Sequence, residues 1–144
     1  MIECLIIGDS IAVGVALQRP ECVAYSRIGI TSQRWVRDYL SQVENKPAEI
    51  VVISLGANDH SGVKTEEELR KLRSLVKALH VFWISPGVDR KPIPQAAIER
   101  IAQEYGDAVL PRPSSMSPDG VHPTGRGYKE LADKTKKQAL ILSF

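Results

Sequence analysis

The feature that most constrains this chain is an alternation. Short β-rich apolar runs at residues 2–7, 22–26, 50–55, 80–85 and 108–110 are separated by segments of helical periodicity. The third run contains Ile50-Val51-Val52-Ile53, continuously apolar, as a strand covered on both faces requires. Between the runs, Trp35, Val36, Tyr39, Leu40 and Val43 form one stripe of a helix. Thr65 and Glu68 read as a capping box, with an apolar stripe continuing through Leu69, Leu72, Leu75, Val76 and Leu79. Ala97, Ile98, Ile101, Ala102 and Tyr105 mark a further helix, and Tyr128, Leu131, Ala132, Thr135 and Ala139 mark the last. A shorter helix is expected to begin at Ser10. Strands that alternate with helices through short connections pair in parallel by right-handed crossovers. The expectation is a single domain over 1–144, a three-layer α/β/α sandwich with about five parallel strands. In such sheets the active site lies at the carboxyl ends of the strands, so reactive residues must follow strands.

Composition narrows the functional classes. The 144 residues suffice for one core, and 43% apolar with 25% charged residues is ordinary for a soluble domain. The net charge is +2, and no basic block is interleaved with aromatics, which argues against a nucleic-acid partner. Lys129, Lys134, Lys136 and Lys137 read as the solvated face of a helix. No apolar run approaches the roughly 20 residues of a membrane span, so no membrane partner is expected. The N-terminus enters a strand without a basic region, a long apolar segment or a cleavage site, so the default expectation is cytoplasmic, with export by another route left open. Cys4 and Cys22 lie in apolar runs and are expected as buried free thiols. No Cys/His spacing suggests zinc, and neither metal nor cofactor is expected.

Four segments follow strands and bear chemistry. They are Gly8-Asp9-Ser10, Gly29, Gly56-Ala57-Asn58-Asp59, and Asp119-Gly120-Val121-His122-Pro123-Thr124. Ser10 would open a helix, where unpaired N–H groups and the positive end of the dipole stabilise negative charge. A serine hydroxyl needs a base, and His122 is the candidate because imidazole titrates near neutrality. Asp119, three residues earlier, is placed to orient that imidazole through one turn. The Ser10 and Gly29 N–H groups and the Asn58 amide are candidate donors to an oxyanion.

These blocks, in this order and across essentially the whole chain, resemble the SGNH (GDSL-type) hydrolase family. The resemblance implies Ser10 as nucleophile, His122 as base, Asp119 as acid, Gly29 and Asn58 as oxyanion donors, a flavodoxin-like sheet and metal-independent ester hydrolysis. Ile11 stands where the family's first block has leucine. The G-x-S-x-G elbow of the α/β-hydrolases is absent. The chain is shorter than typical members, which implies few substrate-binding insertions, an open site and a short acyl group such as acetyl on a carbohydrate or polysaccharide. Two alternatives stand beside this reading. One is a thioesterase or lysophospholipase for longer chains, and the other is a non-catalytic carbohydrate-binding module that retains the fold.

Rival assignments within the site are few. Asp9 and Asp59 compete with Asp119, but their expected work is hydrogen bonding the loops that shape the site. His60 and the run Asp89-Arg90-Lys91 are read as solvated loop residues that could also touch a polar substrate. Trp35 and Trp83 fit core stripes, and His80 belongs to the fourth strand.

Overall fold

The computed structural model describes residues 1–137. Its elements run β1 (Ile2–Gly8), α1 (Ser10–Leu17), β2 (Val23–Ser26), α2 (Ser32–Val43), β3 (Ala48–Ser54), α3 (Thr65–Leu75), β4 (Ala78–Ile84), α4 (Pro92–Tyr105), β5 (Ala108–Leu110) and α5 (Gly125–Lys134). The five strands form one sheet of order β2-β1-β3-β4-β5, with every pair parallel. This is the flavodoxin-like strand order, and its direction reverses between β1 and β3.

Period-two alternation sorts the strand residues onto two cores. Leu5, Ile7, Val51, Ile53 and Trp83 face the layer of α2, α3 and α4, where Trp35, Leu69, Leu72, Ile98 and Ile101 meet them. Cys4, Ile6, Ile50, Val52 and Phe82 face α1 and α5, against Ile11, Val15 and Leu131. Because both faces are covered, the central strands read as continuous apolar runs rather than as alternating ones.

Three local expectations are corrected. Thr65 is the first residue of α3, not its cap; Lys64 holds the cap position without a side-chain bond, and the Thr65 hydroxyl donates to Asp59 Oδ2 at 2.7 Å. A buried carboxylate outcompetes the helix's own amides for that hydroxyl. The stripe through Val76 and Leu79 does not continue the helix. Val76 is extended, Ala48 N–H donates to the Lys77 carbonyl, and Leu79 lies exposed in β4. Here pairing with β3 claims the backbone that the helical pattern would have used.

Cys4 and Cys22 are joined in a disulfide rather than free. The parallel register pairs Leu5 with Val23, which sets Cys4 beside Cys22 with Cα atoms 4.8 Å apart, within bridging distance. Below them Arg19 is buried, its Nη1 donating to Thr135 Oγ1 at 2.8 Å and its Nε to Glu21 at 3.1 Å. Thr135 follows the end of α5; Ala139, expected to extend that helix, lies outside the described residues.

Candidate active site

The carboxyl end of β1 makes the first corner. Gly8 has φ +142°, and a Cβ there would land on the Ser54 carbonyl of β3, so only glycine admits this approach. Asp9 N–H donates to that same carbonyl at 2.9 Å. The Asp9 side chain is fully buried and caps α1: Oδ1 accepts from Ile11 N–H at 3.0 Å and from Ser54 Oγ at 3.0 Å. Among the described residues its Oδ2 has no partner. Burial pushes the carboxyl up to about 6, against the pull of those hydrogen bonds. Ser10 follows as the first residue of α1, at the end where backbone N–H groups lack partners one turn earlier.

The second corner is the loop between β5 and α5. Ser117-Pro118-Asp119-Gly120 is a β-turn closed by Gly120 N–H to the Ser117 carbonyl at 3.0 Å. Around it, Ser117 N–H donates to the His122 carbonyl at 2.8 Å, and Met116 bridges to Pro123. Asp119 Oδ1 accepts from Val121 N–H at 2.8 Å and His122 N–H at 2.9 Å. The Ser117 hydroxyl lies 2.7 Å from both Asp119 Oδ1 and the His122 carbonyl. Asp119 Oδ2 accepts from His122 Nδ1 at 2.8 Å. That bond above all, then those from the His122 amide, Ser117 and Val121, holds the Asp119 carboxyl well below the usual carboxylate range. The carboxylate therefore stays ionised and aligns one tautomer of the imidazole.

The two corners meet. Ser10 Oγ lies 2.9 Å from His122 Nε2, across 112 residues of chain. With Nδ1–H given to Asp119, Nε2 carries the lone pair that faces the serine hydroxyl. Ser10, His122 and Asp119 thus form one hydrogen-bonded line, as the sequence reading requires.

Gly29 lies in the loop after β2 with φ +79°, a conformation that favours glycine, and nothing crowds its side-chain position. Asn58, after β3, donates one amide hydrogen to the Ile30 carbonyl at 3.1 Å. That bond ties the Gly29 loop to the Asn58 loop and leaves the second amide hydrogen for another acceptor. Asp59 is buried and holds these loops from behind. It accepts from Ser32 N–H at 2.8 Å, Ser32 Oγ at 2.6 Å and Thr65 Oγ1 at 2.7 Å. Neither Asp9 nor Asp59 is hydrogen-bonded to His122; Asp59 braces the loops as expected, whereas Asp9 caps α1 and bonds β3.

Three supports of the second corner have a role there that the sequence reading did not give them. Ser117 is one, although the Ser-Pro-Asp-Gly turn signal was present. Arg90 Nη2 donates to the Asp119 carbonyl at 2.9 Å, and Arg112 Nη1 donates to the Gly120 carbonyl at 3.1 Å. Arg90 comes from the loop after β4 and Arg112 from the start of the β5–α5 loop itself, and no local pattern announces either contact.

No protein-family model matches the chain, and no curated protein matches it in sequence. Solved structures do match. A GDSL-like lipase from Bacteroides thetaiotaomicron superposes with a TM-score of 0.68 at 19% identity, covering 99% of this chain and 89% of its own. An acetyl xylan esterase variant from Geobacillus stearothermophilus gives 0.60 at 21% identity, over 91% of each chain. The catalytic domain of a Streptococcus pneumoniae peptidoglycan O-acetyltransferase gives 0.62 at 18% identity, over 99% of this chain and 93% of that one. The chain has the fold of the SGNH, or GDSL-type, hydrolases.

Proposed function

We propose that this protein is a serine esterase that hydrolyses acyl esters through an acyl-enzyme intermediate. The observation that carries the proposal is the line from Ser10 Oγ through His122 to Asp119, with steps of 2.9 and 2.8 Å. His122 Nε2 takes the Ser10 proton as Oγ attacks the acyl carbon. The oxyanion forms against the Ser10 and Gly29 N–H groups and the free Asn58 amide hydrogen. On collapse the alcohol leaves with the proton from His122. A water then gives a proton to His122 and attacks the acyl carbon, and the acid departs as Ser10 recovers its hydrogen. Each step uses side chains and backbone N–H groups of this chain, the substrate and water.

The preferred substrate in this reading is a short acyl ester, such as acetyl on a carbohydrate or polysaccharide. The His122 and Asp119 side chains are 42% and 50% exposed, which describes an open rim rather than a tunnel. That an acetyl xylan esterase and a peptidoglycan O-acetyltransferase domain share the fold supports the same choice. Disulfides persist in oxidising compartments, so the Cys4–Cys22 bond favours a setting outside the cytoplasm over the cytoplasmic default.

A fluorophosphonate probe should label the folded protein at Ser10 and leave Ser10→Ala unlabelled; folded but unlabelled protein would return the binding-module reading. A p-nitrophenyl ester series from two to twelve carbons should peak at the short end, and a long-chain optimum would favour the thioesterase or lysophospholipase. Acetate release from acetylated saccharides then identifies the natural class.

A further inference from the structure

A cavity of about 440 Å³ opens between the loop after β3 and the first turn of α4. Its wall combines apolar Val63, Ile93 and Pro94 with His60, Arg90 and Lys91. Among the described residues the two cations are bonded to neutral oxygens: Arg90 to the Asp119 carbonyl at 2.9 Å and Lys91 Nζ to the Asp59 carbonyl at 3.0 Å. Among the described residues, neither forms an ion pair with a carboxylate. Of the nearby acids, Asp89 pairs with Arg112, Asp59, which also lines the cavity, accepts from Ser32 and Thr65 with its carboxylate, and Asp119 is held by its own loop. Two cations without an ion-pair partner, on a cavity with an apolar wall, form an environment that favours an anion attached to a carbon framework.

We infer that this cavity is a subsite for the alcohol part of the ester, and that this alcohol carries a carboxylate or a phosphate. The inference rests on the esterase reading of Ser10 and adds to it the charge of the substrate. The alcohol, rather than the acyl group, is assigned because His122 delivers its proton to the leaving oxygen. The leaving group therefore lies on the His122 side, and Arg90 is bonded to that same loop. The apolar residues cover the ring or chain of the alcohol while Arg90 and Lys91 meet its charge.

Three acetyl esters that share one ring test this directly: 4-acetoxybenzoate, 4-acetoxyphenyl phosphate and neutral 4-acetoxybenzamide. The quantity to compare is the ratio of kcat/KM for each anionic ester to that of the neutral one. Comparing the ratio between wild type and R90Q/K91M cancels intrinsic ester reactivity and any general loss of rate. The ratio should fall about tenfold in the double variant, mainly through KM, and should fall in wild type as salt rises. The anionic ester whose ratio falls more identifies carboxylate or phosphate. A ratio unchanged by the double substitution for both esters overturns the subsite. So does p-nitrophenyl octanoate turned over faster than the acetate and slowed by I93S, since that result gives the cavity to the acyl chain. If folded wild type cleaves none of the esters, the esterase reading fails separately. The subsite is then judged by calorimetry on S10A, which should bind 4-hydroxybenzoate or phenyl phosphate more tightly than 4-hydroxybenzamide, and lose that preference when R90Q/K91M is added. Equal binding of the three overturns it.

Discussion

Residues 8–11 sit in the core and take their position from packing, whereas residues 117–122 stand half exposed and take theirs from their own hydrogen bonds. At the first corner a glycine lies against the β3 backbone, and a buried carboxyl caps the helix from beneath. At the second corner one carboxylate gathers two backbone amides, a hydroxyl and an imidazole within six residues. Even the two aspartates diverge: burial raises Asp9, and donated hydrogen bonds lower Asp119. The lesson is that Ser10, the proposed nucleophile, is held where the sheet dictates, while His122, the proposed base, is held by a local polar network that solvent can reach. Damage at the first corner should therefore appear as instability, and damage at the second as lost rate in a folded protein.

The largest effect should come from the two atoms that join the corners. Ser10→Ala and His122→Ala are each expected to lower kcat by about 10⁴-fold or more, with melting curves near wild type and no further loss when combined. Unfolding of Ser10→Ala would contradict the partly exposed position of this side chain. Next, Gly8→Ala should cost stability on the order of 4 kcal/mol, because its Cβ meets the Ser54 backbone at a φ that side chains avoid. Denaturant titration would show it, and a stable Gly8→Ala protein would dissolve the contrast between the corners. Asn58→Ala removes one oxyanion donor and should lower kcat by about a hundredfold or more, roughly 3 kcal/mol, with KM little changed.

Asp9→Asn keeps the acceptor for Ile11 N–H and Ser54 Oγ while removing the titration. The Asp9 carboxyl binds its proton more tightly folded than unfolded, so its contribution is complete below the ordinary aspartate value of 3.8 and is lost as pH rises through about 6. The variant should therefore gain on wild type between about pH 4 and pH 7, by up to roughly 3 kcal/mol in urea melts. Asp119 has the opposite sign, its contribution being present at neutral pH and lost as the solution becomes strongly acid. The smallest effect is expected from Ser117→Ala: about a tenfold loss in kcat/KM with unchanged stability, since the amides of Val121 and His122 still hold the carboxylate.

Much of this was legible beforehand because it is local. The strands announce themselves through continuous apolar runs, and the four chemical segments all lie just beyond strand ends. The failures are equally instructive. Thr65 looked like a cap because a capping box is a local pattern, yet its hydroxyl serves Asp59, six residues back. Val76 and Leu79 matched a helical stripe, but the chain turns extended at Val76 and pairs with β3 from Lys77 onward. Arg90 reads as a solvated or substrate-facing residue, and its contact with the Asp119 carbonyl, like that of Arg112 with Gly120, carries no signal until the chain has folded around it.

The sequence by itself determined the alternation of strand and helix, the parallel layering that follows from short crossovers, and which side chains had chemistry to offer. Only the tertiary structure decided their partners: that Cys4 faces Cys22, that Asp59 braces the Ser32 and Thr65 loops, and that Ser10 reaches His122. Local conformation follows from propensity and periodicity within a few residues. Contacts between distant residues depend on strand order and register, which are set when the two apolar faces of the whole sheet are covered.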